Sequence, residues 1–135
     1  ISNPNDRSIA GCFVRLVSSD VAARKGEYSG PAPGYHFSWS SYGGETGPTT
    51  AIARRSVAVL DFAFSQGAEA KKCFFPWWNP AKNQMEPHHA LLSGDYLFNV
   101  ELGSNAGDLA PSNYEVMWSF YGGLDFKVFH IARLL

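Results

Sequence analysis

Tyr96-Leu97-Phe98-Asn99-Val100-Glu101-Leu102 sets Tyr96, Phe98, Val100 and Leu102 against Leu97, Asn99 and Glu101. Successive side chains of an extended chain point to opposite faces, so this alternation reads as a half-buried β-strand with one fully apolar face. Tyr114, Val116, Trp118 and Phe120 repeat it against Glu115, Met117 and Ser119. The run from Leu124 to Ile131 then reads as a last strand, and Gly122-Gly123 suit a hairpin turn between the two. Phe98, Val116, Trp118 and Phe126 are the expected core of these strands.

Working outward, Cys12 to Val17 is a further strand candidate, as is Tyr35 to Trp39, with Tyr35, Phe37 and Trp39 on one face. Lys72 to Phe75 reads as a strand entering a turn at Pro76. The stretch Ala51 to Ser65 fits two templates. Ile52, Ser56, Val59, Leu60 and Ala63 make a helical stripe, whereas Val57, Val59, Phe62 and Phe64 favour a strand, the preferred reading because β-branched and aromatic residues suit a pleated surface. Thirteen Gly and eight Pro punctuate the chain in clusters with short apolar stretches between them, the pattern of many strands joined by turns. The expected fold is all-β, an antiparallel β-sandwich of jelly-roll-like kind, in a single domain over residues 1–135.

Composition agrees with such a fold. A chain of 135 residues that is 45% hydrophobic and 15% aromatic has enough apolar surface to build a core without metals or many disulfides. Lys and Arg number 11 against 12 Asp and Glu, and the paired cations Arg54-Arg55 and Lys71-Lys72 form no long block. No nucleic-acid motif and no electrostatic demand for a membrane surface follow from that balance. The longest apolar runs are only a few residues, so no membrane segment is expected, and Ile1 to Asp6 lacks the regions of a signal peptide. A start without Met suggests a processed or excised product. Cys12 and Cys73 allow one disulfide, with free buried thiols the favoured alternative.

Catalytic patterns are missing. There is no Gly-x-Ser-x-Gly elbow, no phosphate-binding Gly-rich loop followed by Lys, and no Gly-x-Gly-x-x-Gly, and Gly43 to Pro48 reads as a plain loop. His88-His89 with Glu86 offers metal-ligating atoms, but neighbours on an extended chain diverge and no Cys or His stands at a zinc-site spacing. His88, Ser93 and Asp95 have the residue types of a triad, but they read as a polar turn before the strand at Tyr96. The expectation is therefore a protein that is not an enzyme, with no cofactor and no metal site.

Aromatic residues in a Pro-bounded stretch are the strongest candidates for contact. Trp77-Trp78 lies between Pro76 and Asn79-Pro80, so Trp77, Trp78, Asn79 and Met85 are the expected binding or interface residues of a rigid loop from Pro76 to Pro87. A flat indole beside Asn79, Asn83 and Gln84 suits stacking on a sugar, while an apolar loop also suits contact with another subunit.

Val59-Leu60-Asp61-Phe62-Ala63-Phe64-Ser65-Gln66-Gly67 followed by Lys71-Lys72 resembles the aromatic strand, glycine turn and basic strand of jelly-roll capsid proteins of picorna-like viruses. Tyr114 to Phe120 and Tyr121 to Phe129, around Gly122-Gly123-Leu124-Asp125-Phe126, are similar to that family's closing strands, although Leu124 stands where the family often has an acidic residue. The resemblance implies a structural capsid protein of the virion, a jelly-roll subunit or projecting domain that acts through self-assembly and surface contacts. Its partners would be copies of itself or other capsid subunits, with a surface glycan or receptor as a further contact, and no catalytic residue carries over. The alternative is a non-catalytic, lectin-like carbohydrate-binding β-sandwich module, extracellular and using its loop aromatics. Trp77→Ala and Trp78→Ala separate the two: lost assembly in light scattering is expected for the capsid-like subunit, lost glycan-array signal from a stable monomer for the sugar binder.

Overall fold

The alternation of Tyr96 to Leu102 becomes the middle of a sheet. The computed structural model describes residues 1–20, 33–40, 47–65, 72–79, 84–122 and 125–134, and the backbone alone at 64–65, 72, 75–79 and 84–92. Its strands are β1 (Ile9–Ser19), β2 (Ser38–Ser40), β3 (Thr50–Ile52), β4 (Val59–Asp61), β5 (Phe64–Ser65), β6 (Lys72–Asn79), β7 (Gln84–Leu92), β8 (Gly94–Ser104), β9 (Ser112–Phe120) and β10 (Phe126–Leu134). The fold is all-β, an antiparallel sandwich in which a five-stranded sheet, ordered β10-β9-β8-β1-β3, packs against a second layer. That layer contains the pair β2-β4 and the sheet β5-β6-β7.

Cross-strand register explains why the apolar rows meet. Tyr96 lies opposite Trp118, Phe98 opposite Val116 and Val100 opposite Tyr114, while on the other side Leu16 faces Val100 and Val14 faces Leu102. Directly opposed residues share a face, so one continuous apolar surface crosses three strands. Phe98, Trp118, Phe120 and Leu16 are essentially inaccessible, and Phe126 is half-buried against them.

The Tyr35, Phe37, Trp39 row joins the two layers. Its first part runs beside β1, where Leu16 N donates to Tyr35 O at 2.7 Å and Phe37 N to Val14 O at 2.9 Å. The chain then leaves β1, forms β2 and pairs with β4, with Trp39 opposite Leu60. Trp39 Nε1 donates to Cys12 O at 3.0 Å, which satisfies a buried indole N–H and ties the second layer to β1. Phe62, just beyond β4, stacks on Phe37 at 5.2 Å between ring centroids and meets Trp118 edge-on at 5.3 Å. It also reaches Phe98 at 5.8 Å, so one ring touches the aromatic residues of both layers.

Residues 51–65 form short strands and no helix. β3, β4 and β5 are separated by turns, the first at Arg54-Arg55, where Arg55 has φ 54°. Asn3, buried, holds this turn: its Nδ2 donates to Ile52 O and Ala53 O at 3.2 Å and to Arg7 O at 2.7 Å. Gly11, at φ 62°, lies within the irregular register between Ile9 and Cys12, a backbone conformation at which a side chain is strained.

The loop expected from Pro76 to Pro87 is instead the paired part of a hairpin. β6 continues through Pro76 to Asn79 and β7 begins at Gln84, with Trp78 opposite Met85. The ladder changes register between Phe75, which faces His89, and Trp77, which faces Glu86. Both prolines fall in that irregularity, where a missing N–H does not break a regular ladder.

Phe98→Ala and Trp118→Ala are each expected to destabilise the fold by about 3–5 kcal/mol in urea unfolding, the range for emptying a buried aromatic site. Trp39→Phe, which keeps a smaller ring but loses the N–H, is expected to cost about 2–3 kcal/mol.

Candidate functional site

Part of the sheet's outer strand is left exposed. Trp118 and Val116 on β9 are buried, yet the residues opposite them on β10 are not: Val128 is 52% exposed and Ile131 is 63% exposed. Beside them runs an open apolar cleft of about 610 Å³, whose floor includes Val14, Val100, Leu102 and Val116. Its rims carry Val57 and Val59 on one side and Val128 and Ile131 on the other, with Ile1 and Tyr114 also lining it. Val57, at 67% exposed, is held out by backbone pairing with Ser2, next to hydrogen bonds between Ile1 and Ala58.

A bulge aligns β10 with this cleft. Val128 faces Trp118, but the next matched pair is His130 with Met117, leaving Phe129 as the extra residue. Strict alternation would set His130 opposite Val116 and on the core-side face. With the extra residue, Ile131 takes that position and His130 moves to the outer face, 3.8 Å from Glu115 Oε2. Phe129 and Leu134 are also exposed, so β10 carries apolar surface along its length. Greek keys, the units of a jelly roll, return a strand by a long connection to the far side of a meander. Here β1 joins the β8-β9-β10 meander at its β8 side, and β10 ends the sheet.

The residues expected from sequence lie elsewhere. Trp77, Trp78 and Asn79 are in β6 and Met85 is in β7, brought together as the Trp78–Met85 and Asn79–Gln84 pairs. Their side chains lie outside the described residues, as do those of His88 and His89. Cys12 and Cys73 are both buried, and burial, followed by the charge of Asp108, pushes the Cys12 thiol up. Among the described residues, no three His, Cys, Asp or Glu side chains converge on a metal-sized site, and no helix is long and apolar enough to cross a membrane. Sequence reading missed the exposed residues of β10. The available signal was the loss of alternation at Val128-Phe129, where adjacent apolar residues place one of them outside any single face.

A polar cluster marks the opposite face of the sheet. Phe13 lies across Gly103 on β8, so closely that a Cβ at Gly103 would be 2.6 Å from the Phe13 ring. The ring stacks with His36 at 5.6 Å, and the Arg15 guanidinium sits 5.8 Å from its centroid while pairing with Glu101 at 3.0 Å. This is a small array of an aromatic, two basic groups and a carboxylate.

Comparison with protein-family models, curated proteins and solved structures gives no match to this chain.

Burial, and secondly the Arg15 charge, holds the His36 imidazole below its ordinary 6.5. The unfolded chain therefore binds more protons than the folded one as pH falls past that value, and acidification lowers stability. His36→Gln removes this term, so urea midpoints measured from about pH 7.5 down to about pH 5 are expected to fall less steeply than in the wild type.

Proposed function

We propose that this protein is a structural subunit that acts by assembly, in the manner implied by its resemblance to jelly-roll capsid proteins, with copies of itself or other subunits as partners. The observation that carries the reading is the continuous apolar strip from Val57 and Val59, across the cleft, to Val128 and Ile131. Isolated exposed apolar residues are ordinary on soluble proteins, but a contiguous strip beside a cleft marks a surface that another molecule covers.

Physical economy supports the same reading. The apolar floor of the cleft is made by the buried sheet face itself, so a neighbour that inserts apolar side chains there extends an existing core rather than creating a new contact. Weak contacts of this kind gain strength by repetition in a closed shell. The proposed setting is accordingly a virion.

Light scattering after size exclusion tests the proposal. The wild type is expected to show mass rising with concentration above the 14.8 kDa of one chain. Val128→Asp with Ile131→Asp, at positions already more than half exposed, is expected to cost about 1 kcal/mol of folding stability per site, leaving the fold intact, and to remain monomeric. A wild type that stays monomeric at every concentration, or a double variant that associates like the wild type, overturns it.

A further inference from the structure

We infer that β10 is an acceptor for strand addition: an extended segment of a neighbouring subunit, alternating acidic and apolar residues, pairs along Phe126–Leu134 and adds a sixth strand to the sheet. The inference rests on the assembly reading for the source of that segment, and it specifies the chemistry of the contact.

The backbone argument comes first. β10 ends the five-stranded sheet, and among the described residues no strand pairs with its far side. A nine-residue edge presents a row of outward N–H and C=O groups at strand spacing, and only another extended backbone matches such a row along its length. Natural edges are usually shortened, interrupted by Pro or covered. β10 is long, has no Pro, and its exposed residues include Val128, Phe129, Ile131 and Leu134. The bulge at Phe129 is its one irregularity, and that bulge keeps Val128 and Ile131 in a common row on the cleft side.

Charge then selects the incoming strand. Lys127, His130 and Arg133 are the ionisable residues of β10, which contains no carboxylate. Lys127 and His130 share the outer face, being opposite Ser119 and Met117, and Val128 and Ile131 share the core-side face. An incoming strand with acids on its outer face and apolar residues on its inner face complements both rows at once. A second copy of β10 does not. Because β10 contains no carboxylate, a second copy brings no acid to the row of Lys127 and His130 in any register. The donor is therefore a segment other than β10, and the contact is head-to-tail rather than two-fold.

Three labelled peptides test this against the full chain: alternating Val-Glu, alternating Val-Lys, and Val-Glu with a central Pro. Fluorescence anisotropy is expected to rank the Val-Glu peptide about tenfold or more above the Val-Lys peptide, with added salt narrowing the gap and Pro abolishing binding. Amide exchange within 126–134 is expected to slow when the Val-Glu peptide binds. Lys127→Glu with His130→Gln, both at exposed positions of the outer row, is expected to reverse the peptide preference. Equal affinities, binding without slower exchange in 126–134, or no binding of any peptide overturns the inference. The peptide result is separable from the assembly result. A wild type that self-associates but takes up no Val-Glu peptide keeps the assembly reading and loses strand addition. A strictly monomeric wild type that binds this peptide along β10 does the reverse.

Discussion

Phe62 is the contact on which the two layers depend. Its ring stacks on Phe37 and meets Phe98 and Trp118, so residues from the β1-side segment, the second layer and the centre of the sheet share one aromatic cluster. Large rings confer much buried area per side chain, and edge-to-face geometry adds to it, so a few residues suffice to clamp a sandwich of this size. Trp39 makes the complementary polar link, since its N–H is satisfied by the β1 backbone at Cys12. Together they fix where the second layer lies, and therefore where it stops.

Where it stops defines the protein's surface chemistry. The clamp sits over β1, β8 and β9, leaving β10 with hydrogen bonds to β9 but little cover on its faces. Phe126 packs on Phe120, and beyond it the strand is held chiefly by its ladder. The exposed side chains of Val128, Phe129, Ile131 and Leu134 are therefore available for contact, as an assembly surface requires. The opposite face of the sheet is finished differently: Phe13 lies flat over Gly103, and Arg15 and Glu101 neutralise one another.

The architecture was legible where period two was unbroken. Tyr96 to Leu102 and Tyr114 to Phe120 each name their buried face by alternation, and both became central strands with those residues inside. Tyr35, Phe37 and Trp39 were equally clear as a row, although the sequence could not say that the row crosses from one layer to the other. Residues 51–65 read ambiguously because the segment is a series of short strands and turns, so no one period runs through it. Pro76 and Pro87 misled more directly. Proline marks a loop when a regular ladder is the alternative, but here it occupies the register irregularity of a hairpin. The apolar cleft was beyond sequence reasoning for another reason: it depends on how far a second layer extends, a property of three-dimensional packing and not of any one segment. The acidic-apolar partner strand has no counterpart in the sequence reading, because an edge exists only once the strand order is known.

Phe129 gives β10 a change of phase. On its N-terminal side the core-facing positions are Phe126 and Val128, and beyond it they are Ile131 and Arg133, so the two halves follow different parities. The faces of the C-terminal half therefore depend on whether residue 129 is bulged out, and less on which residue stands there. Another residue at position 129 leaves every neighbour on its own face, whereas straightening the bulge, with Phe129 paired opposite Met117, would turn the whole C-terminal half over, presenting His130 to the apolar cleft and Ile131 to the outer face. The bulge thus sets the phase of the C-terminal half, and with three residues from Val128 to Ile131 it is the bulged backbone that brings both to one face.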